Sequence, residues 1–468
     1  MHFARILRSS ALMGGAQVVV LAAGFVRAKA IAMVLGASGV GLIGIFNAFS
    51  GNVSSLAGWG LGTSGVRLIA AADDEAKPSK IIAVRHMGRT LSLLGLALGV
   101  LVFWPTARLT FASSEYVTEM AIVALAVPCL IASSAWSAIL QASGKISSLA
   151  KVQIAGALTG LLLGLPAIYF WGTLGIALSI LLAAAVPAFV LWRSARSETA
   201  ASSLAQVDAG DLRQLVMLGG ALMVVGWLGQ LSAYAVRIAI VRQEGLDAAG
   251  YYQAAYAISG SLPGFIFAAM GADFLPRVAA VKDESQAKAA TEHQIQAGLL
   301  MGMPFIVVLL SLGDWCVRLL YADSFAATVP LLNWMTWGVF LRLFAWPLAY
   351  WLLARGSNST MIIIEGVSAV LMTVLAVVLL GSFGLVGCAM GFAFGQGLYA
   401  LLLVLVARRR SGAWIGWSTL GWVALCVGIC VAAQVFAFQR PSGVWAFVPA
   451  GLSVVTAGGL YLQLLRRP

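Results

Sequence analysis

Charge is scarce in this chain of 468 residues. Only 10% are Asp, Glu, Lys or Arg, against roughly 25% in a soluble domain, which is too few to coat a water-facing surface of this size. Acidic residues are the scarcer sign, 17 against 29 Lys and Arg, and there are only three histidines and five cysteines. These shortages exclude a soluble enzyme, a disordered chain and a secreted disulfide scaffold. Cys129, Cys316, Cys388, Cys426 and Cys430 all lie in apolar runs. Cys426 and Cys430 share a helix face, but with no His or acidic neighbour they read as small buried side chains, not a metal site. Long polar loops are missing too, so no globular domain stands on either side.

Apolar residues are abundant, at 61%, together with 51 glycines. Glycine is common in transmembrane helices, where it lets backbones approach closely. The composition predicts an all-α polytopic membrane protein. At roughly 20 apolar residues per span, about fourteen transmembrane helices fit. Six precede a polar break, near 10–35, 41–69, 82–105, 118–141, 150–170 and 173–192. Six follow it, near 213–241, 248–272, 296–319, 327–354, 358–380 and 384–406, and two more lie near 414–437 and 443–464. The expected organisation is an N-terminal six-helix bundle (1–192), a cytoplasmic linker (193–212), a C-terminal six-helix bundle (213–406) and two extra C-terminal helices (407–468).

The formal net charge of +12 would suggest nucleic acid in a soluble protein. Here it follows the positive-inside rule, and no nucleic-acid partner is expected. With both termini cytoplasmic, alternation puts Arg5 and Arg8, Lys77 and Lys80, Lys145 and Lys151, Arg193 and Arg196, and the run Arg408–Arg410 on one side. The outside receives only Arg108, Arg242, Arg318 and Arg440. The basic start leads into an apolar run too long for a signal peptide, which reads as the first span.

The halves repeat. GLIGIFNAFSG (41–51) parallels GYYQAAYAISG (250–260), and GTSGVRLIAAADDEAK (62–77) parallels GADFLPRVAAVKDESQAK (271–288). Copies separated by six helices start on the same side. That makes a parallel repeat of two pseudo-symmetric six-helix bundles, a plan in which substrate binds between the halves.

FVRAKAIAMVLGASGVGLIGIFNAFS (25–50), with its core Leu35, Gly36, Gly39 and Gly41, resembles the first two helices of Wzx-type O-antigen flippases, and GADFLPRVAAVKDE (271–284) resembles the loop after their helix 8. These proteins belong to the multidrug/oligosaccharidyl-lipid/polysaccharide flippase superfamily. The resemblance implies a bacterial inner-membrane transporter and not an enzyme, without cofactors. It would move an undecaprenyl-pyrophosphate-linked oligosaccharide, an O-antigen or exopolysaccharide repeat unit, from the cytoplasmic to the periplasmic leaflet. Polysaccharide polymerase machinery is its expected partner.

Cations within spans point the same way. Arg27 and Lys29 lie in helix 1, Arg237 in helix 7 and Arg342 in helix 10, whereas Glu365 in helix 11 is the clear intramembrane acid. An ionised group at mid-bilayer costs about 2.5–3.5 kcal/mol even on the mildest scale. An anionic ligand would resolve this excess of cations, and Arg suits pyrophosphate through bidentate hydrogen bonds. Arg27 is expected to face the cavity, with Lys29, about 200° around the helix, pairing or snorkelling outward. Gln230, Tyr234 and Arg237 share one face of helix 7. Arg342 has a rival reading as a pair with Glu365, and Arg237 as a snorkelling end residue. Arg67 and Arg277, at equivalent helix ends, would greet the incoming pyrophosphate. Asn47, Gln253 and Tyr256, with Gln230 and Tyr234, are expected to line the sugar path, and Glu365 to couple transport to an ion. Two other functions remain open. A drug or cation antiporter would want buried carboxylates, and helix 1 has none. A polytopic glycosyltransferase or polymerase would want an acidic cluster beside a large loop, and the only cluster, Asp73, Asp74 and Glu75, sits in a short one.

Overall fold

Three glycines break the longest helices. The computed structural model describes residues 2–201, 208–281, 283–356, 358–411, 415–439 and 451. Among the described residues all regular structure is helical, and eight helices are long and apolar enough to cross a membrane. Three of these, Met13–Ala57, Gly164–Arg196 and Ser359–Arg410, run 45, 33 and 52 residues. At 1.5 Å per residue a straight 45-residue helix would be about 68 Å long, more than twice the bilayer core. Each therefore contains a reversal, at Gly36 (φ 68°), Gly172 (φ 55°) and Gly384 (φ 58°). A left-handed φ of this kind costs glycine little and other residues much. The breaks expected at 35–41, 170–173 and 380–384 fall on these positions.

The described residues form two compact units, divided after Gly250. The first holds α1 (His2–Ala57), α2 (Leu61–Ala70), α3 (Lys77–Phe111), α4 (Val117–Ala124), α5 (Ala126–Ala142), α6 (Ile146–Leu162), α7 (Gly164–Ala201) and α8 (Ala209–Glu244). The span expected at 41–69 is interrupted, because Trp59 (φ 50°) and Gly60 (φ 63°) separate α1 from α2. Helices α6 and α7 pack on each other along a seam of small residues. Gly156, Gly160 and Gly164 face Pro187, Ala183 and Ser179, and a Cβ on Gly156 would come within 2.8 Å of Pro187 and one on Gly164 within 3.0 Å of Ser179. Without a hydrophobic drive between helices in lipid, such close backbone packing is what holds a hairpin together.

Helix α8, expected to open the second bundle, belongs to the first unit. Polar contacts tie it to that unit along its length. Buried Asp211 accepts from Lys80 and, at 3.2 Å, from Ser79. Trp59 Nε1 donates to the Val216 carbonyl (2.9 Å), Asn52 Nδ2 to the Gln230 carbonyl (3.0 Å), and the Tyr234 hydroxyl lies 3.0 Å from Thr110 Oγ1. The start of α9 (Leu246–Ala280) also meets α1 in this unit. A Cβ on Gly41 would press on Leu246 O, and one on Gly250 on Ala37 O. The two contacts are reciprocal: each partner pair is the other shifted by 209 residues, the offset of the sequence repeat.

The second unit continues with α9, then α10 (Glu284–Ser311), α11 (Gly313–Leu320), a 3-10 turn (Asp323–Phe325), α12 (Thr328–Ala354), α13 (Asn358–Ser411) and α14 (Trp417–Phe438). Its core gathers Phe274, Leu299, Val307, Phe340, Leu343, Leu352 and Cys430. Helix α10 starts twelve residues before the span expected at 296–319. Asp283 caps it, accepting from Ser285 N (3.3 Å) and Oγ (2.6 Å), and these bonds hold the carboxyl below the usual carboxylate range. A polar first turn is invisible to an apolar window. Within α13, Gly387, Gly391 and Gly395 pack on Leu379, Ala376 and Met372 across the Gly384 reversal.

Helix α14 is built into this unit. Glu292 on α10 accepts from Gly416 N and from Thr419 Oγ1, both at 3.0 Å, so it caps α14 from outside. Further up, Trp337 Nε1 donates to Gln434 Oε1 (2.8 Å) and Cys430 packs beside Met303. Glu292→Ala should loosen α14 by about 1 kcal/mol, the scale of a lost cap. Modification of the buried Cys430 thiol by a maleimide dye on heating would then begin at a lower temperature, and an unchanged onset would contradict the cap. The span expected at 443–464, with Arg440, Arg466 and Arg467, lies outside the described residues.

Candidate functional site: an arginine cavity in the first unit

The first half of α1 carries a polar and small face: Gln17, Gly24 and Arg27 recur at i, i+7 and i+10, which is one side of a helix. This face borders a cavity of about 460 Å³ whose other walls are α5, α6 and α7. Ser133 and Ser137 come from α5, Gln153 and the glycine seam from α6, and Ala183 and Pro187 from α7. The seam makes the cavity possible, since a Cβ on Gly160 would stand 3.2 Å from Arg27 Nη1. Arg27 reaches across to α7, where Nη2 donates to Ser179 Oγ at 2.6 Å, and Ser179 Oγ in turn donates to Ile176 O at 2.7 Å.

One guanidinium nitrogen is left over. Arg27 Nε is buried without a hydrogen-bond partner, and so is Ser133 Oγ on the facing wall. Among the described residues no carboxylate pairs with Arg27, and none lines the cavity. A cation held by one neutral hydroxyl, with donors left over, is set to receive an anion.

The other expected site residues lie as follows. Arg237 is buried and donates to Ala233 O at 2.8 Å, one turn back on its own helix. Tyr234 is buried beside Thr110, whereas Gln230 and Asn47 are exposed. The polar stripe of α8 thus turns its Tyr and Arg into helix packing. Lys29 is half-buried, and Arg67 is exposed in the last turn of α2.

In the second unit, Arg342 is exposed and its guanidinium stands 5.8 Å from the Phe267 ring. It makes no ion pair with Glu365, which instead accepts from the Tyr399 hydroxyl at 2.8 Å. Arg277 donates to Gln294 Oε1 at 2.8 Å. Tyr256 stacks near Tyr252, with ring centroids 6.4 Å apart, and Gln253 is half-buried on the same helix. Sequence reading missed Ser179, Ser133, Ser137 and Gln153. The i+7 and i+10 spacing from Gln17 to Arg27 was the available signal for the cavity face. Nothing local announces Ser179, which is 152 residues away.

Membrane-length helices folded back at single glycines, around a cavity that holds a cation, define a polytopic membrane protein of the fold shared by drug transporters and lipid flippases. An inward-facing multidrug-resistance transporter of the MATE family in the MOP superfamily matches with a TM-score of 0.72 at 17% identity, over 85% of this chain and 94% of its own. The lipid II flippase MurJ in an inward closed conformation matches with a TM-score of 0.76 at 14% identity, over 98% of this chain and 100% of its own. An outward-facing MATE transporter gives a TM-score of 0.64 at 16% identity, over 87% and 95%. No curated protein sequence matches the chain. Residues 6–282 match the family described as Polysaccharide biosynthesis protein, and the chain belongs to that family.

Proposed function

We propose that this protein is a flippase for a lipid-linked oligosaccharide of the Wzx type. It would carry a polyprenyl-diphosphate-linked repeat unit from the cytoplasmic to the periplasmic leaflet of a bacterial inner membrane by alternating access. The observation that carries this reading is the unpaired Arg27 in a cavity without carboxylates. A diphosphate supplies the charge that the site lacks, and its oxygens can accept from Nε and Nη of one guanidinium while Ser133 donates to a third. Family membership and the likeness to a lipid II flippase support it. Lys29 is a further phosphate contact in this reading, and Arg67 and Arg277 meet the incoming headgroup, whereas Arg237 is held by its own helix and Arg342 lies in the second unit. Gln230, Asn47, Gln253 and Tyr256 would serve the sugar path, whereas Tyr234 is taken up by Thr110.

A drug or cation antiporter shares the fold, but a cationic substrate would be repelled by Arg27. A glycosyltransferase or polymerase would need acidic groups to hold a metal and sugar phosphate, and among the described residues no cluster suited to a metal occurs.

The test is reconstitution in vesicles with a fluorescent polyprenyl-diphosphate disaccharide, read by accessibility of the label to an outside quencher. Flipping of this lipid, and not of a neutral polyprenol glycoside, is expected; equal rates for the two would overturn the reading. Glu365, held by Tyr399, is the coupling candidate. Glu365→Gln should remove the response to an imposed proton gradient while leaving downhill flipping intact, and an undiminished response would eliminate that role.

A further inference from the structure

A second cavity in the first unit has a different character. It measures about 420 Å³ and lies between α3 and α5, with Trp192 near the end of α7 at its rim. Its walls are apolar, among them Leu93, Leu96 and Pro128, and Arg85 and Arg89 stand at one end. The two arginines are one turn apart on α3, so their guanidinium groups repel each other. Among the described residues neither has an ion-pair or hydrogen-bond partner, and Arg85 Nε is buried without one. An unpartnered guanidinium beside a second cation is an arrangement that favours an anionic acceptor.

The surroundings show where it would come from. The same helix exposes Leu93 (69%), Leu94 (56%) and Leu101 (74%). Apolar exposure on this scale along a membrane-length helix is a lipid-facing surface. The basic end lies beside Lys77 and Lys80, on the side that the charge bias marks as cytoplasmic, and Trp136 and Trp192 add aromatic wall to the cavity. A ligand that fits has a phosphate at one end and a hydrocarbon chain at the other, and it arrives from the bilayer, not from water.

We propose that Arg85 and Arg89 form a binding site for an anionic phospholipid of the cytoplasmic leaflet. The phosphate sits between the two guanidinium groups and an acyl chain lies along Leu93, Leu96 and Pro128. Basic pockets between transmembrane helices on this side are the usual place for anionic headgroups. The site is separate from the Arg27 cavity, and it does not depend on which substrate that cavity carries.

Native mass spectrometry of the purified full chain tests this, with phosphatidylglycerol and phosphatidylcholine in competition. The wild type should prefer phosphatidylglycerol, and Arg85→Gln with Arg89→Gln should reduce that preference about tenfold, as expected for loss of charge-assisted contacts. A charge-matched pair, Arg408→Gln with Arg409→Gln, should keep it. An equal loss in both pairs, or no loss in the first, would overturn the site. Arg89→Gln alone, at an exposed position, serves if the double variant fails to fold, with a smaller loss expected and an unchanged preference counting against the site. A polyprenyl diphosphate that displaces phosphatidylglycerol from these arginines at lower concentration would reassign the site to substrate.

Discussion

Arg27→Ala abolishes glycan export while the protein still reaches the membrane in normal amount: that is the largest effect expected from a single change. Hydrogen bonds to a charged group contribute about 1.5–3 kcal/mol each, so loss of two contacts to a diphosphate lowers transport by about 100-fold or more. Surface glycan and an immunoblot of membranes measure the two sides of the statement. Lysine at this position keeps the charge but not the planar fork, and should restore only part of the activity. Ser179→Ala removes the bond that aims the guanidinium and leaves the charge in place, so its effect should be smaller than that of Arg27→Ala. Normal surface glycan in Arg27→Ala would remove the cavity from the mechanism.

The second large effect is on folding. Gly41 and Gly250 meet α9 and α1 backbone so closely that an alanine methyl would press on a carbonyl in each case. Overpacking costs about 1–3 kcal/mol where side chains can yield, and a backbone carbonyl yields less. Gly250→Ala and Gly41→Ala should each lower the melting temperature of the purified protein and its yield in the membrane. Because the contacts are reciprocal, the two losses should be of similar size. Gly14, with nothing near it, is the control, and Gly14→Ala should leave the melting temperature unchanged. A normal melting temperature for Gly250→Ala would show that the close approach carries no stability.

Much of the fold was legible because the membrane simplifies the code. A span must be apolar for about 20 residues, and a reversal without a loop needs glycine. Gly36, Gly172 and Gly384 are therefore visible as breaks in hydropathy before any coordinates. What the sequence hid is what depends on partners distant in the chain. Asp211 reads as a loop charge, yet it is buried against Lys80, 131 residues away. The α8 stripe of Gln230, Tyr234 and Arg237 has the right period for a cavity face, but period reports only that residues share a side, and Tyr234 spends that side on Thr110. Arg27 stands out in the sequence by its cost in lipid. Its cavity does not, since the wall opposite is made of glycines and serines that look like ordinary membrane-helix packing.

The reversals at Gly172 and Gly384 also govern how the molecule meets its surroundings. A helix that turns back at one residue leaves no ribbon of chain for a protease, antibody or reporter tag to reach. Topology mapping by inserted epitopes should therefore fail at these two turns, because even a short insert would pry open the glycine seams below them. Within the first unit, the longer connection at 112–116 is the better place for a tag.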